Sequence, residues 1–151
     1  MITKTLLALI ISFEGFHPVA YWDHSQWTNG YGTQASYAQE KVSESEAKKR
    51  LEKDVAKRSK FVKKHAPYLN ENEHNALVSF CYNVGLGACK KSVLLVAEGK
   101  KPAASWVMRK YTNNGNKGLV KRRKIETDLL MEKPKSKICI YQEYFDNYLV
   151  L

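Results

Sequence analysis

The sequence predicts an α+β protein, mostly α, organised as one domain over residues 1–151: a small N-terminal lobe with a β-hairpin, joined by a long helix to a helical C-terminal lobe. Three observations carry this. The chain has 151 residues, enough for one core that buries roughly two thirds of the unfolded chain's surface. A segment of aromatics and glycines between Val19 and Thr33 has the composition of short paired strands. From Ser43 onward, apolar residues recur at helical spacing between recognisable caps. The N-terminal lobe is expected over about residues 13–45 and the helical lobe over about 65–151, with the first helix packing on the latter. No internal repeat, low-complexity run or linker-like stretch separates two cores. A cleft between the lobes is the expected place for a ligand.

The first element is read from "TLLALIISF", which follows Lys4. It has the look of an export signal, but it spans about nine residues, lacks a small-residue cleavage site and runs directly into Glu14, so a first helix is expected. "VAYWD" and "WTNGYGT" form a hairpin turning at His24 to Gln26, with no strand expected after it. Ser43 and Glu46 make a capping box, and Ala47, Leu51, Val55 and Val62 fall near one face of a long helix whose other face is Lys, Arg and Glu. Pro67 ends that helix. Asn70 with Glu73 caps the next, where Ala76, Leu77, Phe80, Cys81 and Val84 recur at helical spacing before Gly85 and Gly87, which predicts a central buried helix. Ser92 is expected to cap a short helix from Val93 to Ala97, and Pro102 to start another ending near Tyr111. "LVKRRKIETDLLM" gives the last clear helix. The tail after Pro134, "KSKICIYQEYFDNYLVL", fits strand or helix; its Ile138, Ile140, Tyr144 and Leu149 favour packing on the core over a contact surface.

Composition narrows the function classes. With 25 Lys plus Arg against 15 Asp plus Glu, the net charge of +10 implies attraction to a polyanion, whether nucleic acid, a membrane surface or an anionic cell wall. Three cysteines, Cys81, Cys89 and Cys139, form no CxxC or Cys/His cluster, and the odd count argues against a disulfide framework and for a reducing cytosol. HExxH, GxSxG, GxxxxGK[ST] and GxGxxG are all missing, and the four histidines do not cluster, so neither a metal nor a cofactor is expected. The basic residues lack the aromatic interleaving of a nucleic-acid surface.

What remains is a pair of carboxylates. Glu14 ends the first helix, against the negative end of its dipole and beside Phe13 and Phe16, a setting that disfavours charge and suits a general acid. Asp23 ends a strand beside Ser25 and Gln26, a more polar setting that suits a charged group acting on water, which Thr28 could share. Spacing alone leaves the ordinary alternatives open: a Glu before a Gly is a common helix end, and an Asp before a turn is a common turn former.

Three segments together resemble one family. "FEGFHPVAYWDHSQWTNGYGT" resembles the N-terminal signature of phage-type lysozymes, the endolysins of glycoside hydrolase family 24. "ALVSFCYNVGLGACKKSVLL" is similar to that family's central helix and Asn-x-Gly turn, and "GLVKRRKIETDLL" to its Gly-Leu-x-x-Arg-Arg-x-x-Glu segment. The segments occur in family order from Ile2 to Met131. The resemblance implies a lysozyme-like fold with its active site in the cleft, Glu14 as general acid, Asp23 as the water-activating carboxylate and Thr28 as its water-positioning partner. Asn83, Tyr31 and Gly30 would bind substrate. Arg122 and Arg123 match the family's paired arginines, of which one is expected to tie its helix to the Glu14 region rather than touch substrate. The chain departs from the pattern in a shorter turn between Asp23 and Thr28 and in Thr33, where members often carry His.

The resemblance further implies hydrolysis of the bond between N-acetylmuramic acid and N-acetylglucosamine in peptidoglycan, with inversion at the sugar, since a hydroxyl beside Asp23 serves to hold a water. It implies a monomer without nucleic acid or stable membrane insertion, held in the host cytoplasm until a holin breaches the membrane at lysis. Two other classes stay open: a catalytically silent wall-binding or structural protein of the same fold, and a nucleic-acid binder supported by charge alone.

Overall fold

The structure, a computed structural model, describes residues 2–132. The tail contacts expected of Ile138, Ile140, Tyr144 and Leu149, and the third cysteine, Cys139, lie outside the described residues. In order, the elements are α1 (Lys4–Glu14), β1 (His17–Asp23), β2 (Gln26–Gly30), β3 (Thr33–Gln34), α2 (Glu44–His65), α3 (Glu71–Val84), α4 (Leu86–Ala97), α5 (Lys101–Met108) and α6 (Lys117–Met131). The protein is mostly helical with one small antiparallel sheet, as the sequence predicts. The chain divides into two compact units, one through Ala56 and the other from Lys57.

In the first unit, Thr3 caps α1 by accepting the Leu6 N–H, and the helix stops at Gly15, whose φ of 66° is open to glycine. Leu6, Leu9 and Ile10 are buried along it. β1 and β2 form the expected hairpin, with Tyr21 opposite Thr28, Trp22 opposite Trp27 and Asp23 opposite Gln26. The turn narrows to His24 and Ser25, and His24 takes a φ of 48°. A third strand was not expected: β3 pairs antiparallel with β2, placing Thr28 opposite Gln34 and Asn29 opposite Thr33. Gly30 and Gly32, both at positive φ, make the tight reversal that lets two residues pair back. Ser43 accepts the Glu46 N–H at 3.1 Å at the start of α2, and Ala47, Leu51 and Val55 point from that helix into the core.

In the second unit α3 is the centre, buried at nearly every position from His74 to Tyr82. Its N-terminus carries the expected capping box, with the Glu73 N–H donating to Asn70 and the Asn70 N–H donating to Glu73. α4 and α6 pack against it, and α5 packs against both of those helices. Two expectations fail here. Ser92 does not start a helix: α4 begins directly after Gly85, and Ser92 is a buried interior residue. The break at Gly85, at φ 90°, restarts the helix so early that the Ser92 cap signal has no terminus to serve. The cysteines are also not all free, because Cys81 and Cys89 form a disulfide with Cα atoms 5.2 Å apart. Cys81 lies on the last turn of α3 and Cys89 on the first turn of α4, so the same reversal brings them together. Closing so short a loop stabilises by roughly 2 to 3 kcal/mol in the chain-entropy account. No helix among the described residues is long and apolar enough to cross a membrane.

Candidate active site

Glu14 is the last residue of α1, where the chain turns at Gly15. Its carboxyl group is partly buried and sits against Gly32. A Cβ at Gly32 would lie 2.8 Å from Glu14 Oε2, closer than real Cβ atoms approach, and a tight 3.3 Å from Cδ, and the φ of 82° is itself a glycine conformation. The reversal after β2 thus closes over the Glu14 carboxyl and fixes where it can point. Gly32 was not singled out by sequence reasoning, although the doublet of glycines around Tyr31 was the available signal.

Strand alternation and register assemble the second part. Tyr21 and Asp23 lie two apart on β1 and so share a face, and Thr28 is directly opposite Tyr21, with Gln26 opposite Asp23. Asp23, Tyr21, Thr28 and Gln26 therefore form one polar face, while Trp22 and Trp27 pair edge to face on the other, with ring centroids 5.5 Å apart. Asp23 is exposed at the hairpin end, and its carbonyl accepts the Ser25 N–H. Thr28 is only 1% exposed, and its Oγ1 accepts from Gln26 Nε2 at 3.5 Å. Partial burial, then the negative charges of Asp23 and Glu14, push the Tyr21 phenol above its ordinary range. Tyr21 is thus a group that feels both carboxylates, and it was also missed.

Gly30, at the end of β2, and Tyr31 after it are buried. The Tyr31 hydroxyl donates to Glu44 Oε1 at 3.2 Å, and its ring lies 5.5 Å from that of Phe16; burial and then the Glu44 carboxylate raise its phenol. At Gly30 a Cβ would meet Ala47 Cβ at 3.0 Å, so the strand rests directly on α2. A buried network locks the same strand to its surroundings. Asn29 Nδ2 donates to the Glu40 carbonyl and to Glu40 Oε2, and Arg50 donates to Glu40 Oε2 at 3.0 Å and to Asn29 Oδ1 at 3.4 Å. The Arg50 guanidinium is the main reason that the Glu40 carboxyl falls to about 2.

In the second unit, Arg122 and Arg123 are buried rather than part of a solvated basic face. Glu126, fully buried, lies between them: Arg122 Nε donates to Oε1 at 3.0 Å, and Arg123 Nε pairs with Oε2 at 3.1 Å. Ser79 also donates to Oε1 at 2.8 Å. Burial drives the Glu126 carboxyl upward, and the two guanidiniums and the Ser79 hydroxyl oppose that. Arg123 reaches on to Asn83, its Nη2 donating to Oδ1 at 2.7 Å. Asn83 is itself exposed, so a buried cation holds the oxygen of an exposed amide and its N–H groups are left to face outward.

Residues 11–126 match the phage lysozyme family. The chain belongs to that family. Among curated proteins similar to this chain, the endolysin of Bacillus phage B103 is 37% identical over 141 residues, covering 86% of this chain and 54% of that protein. The chain spans about half the length of the curated relatives it matches. Among solved structures, the muramidase domain of SpmX from Asticaccaulis excentricus aligns with a TM-score of 0.78 at 29% identity, covering 88% of this chain and 99% of that one. The endolysin from Escherichia coli O157:H7 phage FAHEc1 aligns with a TM-score of 0.74 at 27% identity, covering 91% and 97%.

Proposed function

We propose that this chain is an endolysin: a muramidase that hydrolyses the β-1,4 bond between N-acetylmuramic acid and N-acetylglucosamine in bacterial peptidoglycan and so lyses the host cell. The observation that carries the reading is the pair of carboxylates in unlike settings, Glu14 partly buried under the Gly32 turn and Asp23 exposed at the end of the hairpin face. The endolysin and muramidase relatives support it. Glu14, shielded and at a helix C-terminus, delivers a proton to the leaving oxygen. Asp23 activates a water that Thr28 helps place, attacking from the face opposite the leaving group, which inverts the anomeric centre. Asn83 offers its amide N–H groups to the glycan, with Arg123 holding their direction. Gly30 and Tyr31 shape the floor beneath.

The protein acts as a monomer on the wall. It waits in the host cytoplasm until a holin opens the membrane. The Cys81–Cys89 disulfide suits a place of work outside a reducing cytosol.

Digestion of purified peptidoglycan, followed by mass spectrometry, tests the reaction. Expected products are hydrolysed muropeptides with new muramic acid reducing ends; anhydro ends or cleaved peptides would reject the reading. Glu14→Gln keeps the shape but has no acidic proton, so it should lose roughly 10²-fold or more of the activity in a folded protein. Proton NMR of the first product should show the α anomer, and an initial β anomer rejects inversion.

A further inference from the structure

We infer that the Tyr21 hydroxyl is a third substrate-facing group of the active site, donating a hydrogen bond to the glycan where it lies over the Asp23 face of the hairpin. The inference rests on the proposed roles of Glu14 and Asp23.

Position is the first ground. Tyr21 precedes Asp23 by two residues on β1 and lies directly opposite Thr28 on β2, so the three side chains occupy adjacent places on one face of the sheet. Exposure distinguishes them. Thr28 is 1% exposed, whereas Tyr21 is 40% exposed; a sugar passing over this face meets the phenol before it meets the threonine. Orientation is the second ground. The ring of His17, at the other side of the irregularity in β1, packs at 4.9 Å from the Tyr21 ring with the planes 58° apart. A ring held from one side presents its hydroxyl with little rotamer freedom to lose.

Protonation is the third ground, since it keeps the phenol able to donate. Burial and the charges of Asp23 and Glu14 hold the phenol above its ordinary range, so the oxygen keeps its hydrogen throughout the range in which a carboxylate pair works. Tyr21 can therefore donate to the hydroxyl, ring or carbonyl oxygens of a glycan. It also supplies a neutral donor between two acids, where a lysine or arginine would pair with Glu14 or Asp23 and remove one from use.

The test compares Tyr21→Phe and Tyr21→Leu with the parent chain on a soluble oligosaccharide of alternating N-acetylglucosamine and N-acetylmuramic acid. Tyr21→Phe should keep its melting temperature within about 1 °C and lose roughly tenfold in kcat/KM, the effect of one hydrogen bond to substrate. Tyr21→Leu should lose that and also melt lower, because the His17 packing goes as well. If Tyr21→Phe retains parental kcat/KM, or its activity falls only as far as its stability does, Tyr21 is an aromatic spacer and the inference is overturned. Glu14→Gln belongs in the same series. A dead Glu14→Gln with a fully active Tyr21→Phe overturns the Tyr21 role alone; an active Glu14→Gln removes both it and the reading beneath.

Discussion

Gly30 and Gly32 stand two residues apart in one reversal, both at positive φ, yet alanine should harm them in different ways. At Gly32 the new Cβ would lie 2.8 Å from Glu14 Oε2 and 3.3 Å from Cδ. Ordinary contact begins near 3.4 Å, so the carboxyl end must retreat by roughly 0.6 Å or more, which a flexible side chain does at little expense to the fold. The left-handed backbone adds about 1 to 2 kcal/mol of strain. Activity is another matter, because a displacement approaching 1 Å at a reacting group is worth on the order of 10²-fold in rate. At Gly30 the new Cβ meets Ala47 Cβ at 3.0 Å and Ala47 Cα at 3.5 Å, and neither can retreat without parting β2 from α2. Overpacking adds about 1 to 3 kcal/mol to the same backbone strain. Gly32→Ala is therefore expected to lose far more turnover than its melting temperature explains, whereas Gly30→Ala loses chiefly stability. Turnover on a soluble glycan and differential scanning calorimetry, run on both variants, separate the cases. Full turnover in Gly32→Ala would mean that the carboxyl seated under this turn is not the group that reacts.

Two further outcomes follow from buried titratable groups. Glu40 titrates near 2 in the folded chain against 4.5 unperturbed, chiefly because of Arg50; a lowered carboxyl gives stability that is present above about 4.5 and lost as pH falls toward 2. Arg50→Met should destabilise by about 2 kcal/mol at pH 7, and thermal melts at pH 3 should show the gap much reduced, an equal gap at both pH values counting against the network. His74 is buried, 2.9 Å from Ser59 Oγ through Nε2, and burial lowers it below 6.5. It therefore favours the fold above 6.5 and less so as pH falls below, so urea melts should show stability dropping from pH 7 to 5 in the parent and dropping less in His74→Gln.

The sequence was most informative where a signal was local. The capping box of Asn70 and Glu73 lies within one turn, and the fold honours it atom for atom. Glu14 before Gly15 marks a helix end by the two residues alone. The hairpin was legible from composition but its register was not: a turn at His24 to Gln26 would pair Asp23 with Trp27, whereas the two-residue turn pairs Asp23 with Gln26 and so brings Thr28 onto the face of Asp23. What was illegible depended on closure between segments. β3 is two residues long and exists only because β2 offers a free edge after a double-glycine reversal. The Cys81–Cys89 bond needs a helix break between its partners, and the spacing of eight residues does not announce one. Arg122 and Arg123 look like surface charge until Glu126 is noticed one turn further on; that spacing was visible, but the Ser79 hydroxyl, 47 residues away in sequence, was not.

The two buried ionic clusters explain why polar residues were retained in positions where apolar ones would pack well. Burying an arginine and a glutamate together rarely adds stability over an apolar pair of the same volume, because desolvation consumes what the attraction returns. Stability is therefore a poor reason for either cluster. Geometry is a better one. In the first unit, Arg50 and Glu40 grip both ends of the Asn29 amide, and Asn29 immediately precedes the Gly30–Gly32 reversal that seats the Glu14 carboxyl. In the second, Arg123 uses one guanidinium to meet Glu126, the ring of Phe80 at 4.9 Å and Asn83 Oδ1. A lysine could satisfy one of these partners, but only a planar fork with several donors can hold all three at fixed angles. Each cluster ends in contact with a group that has to point in one direction: the turn above a carboxyl in one unit, the face of an exposed amide in the other. Charge is buried where direction matters, whereas the carboxylates assigned to chemistry, Glu14 and Asp23, are partly buried and exposed, within reach of a substrate.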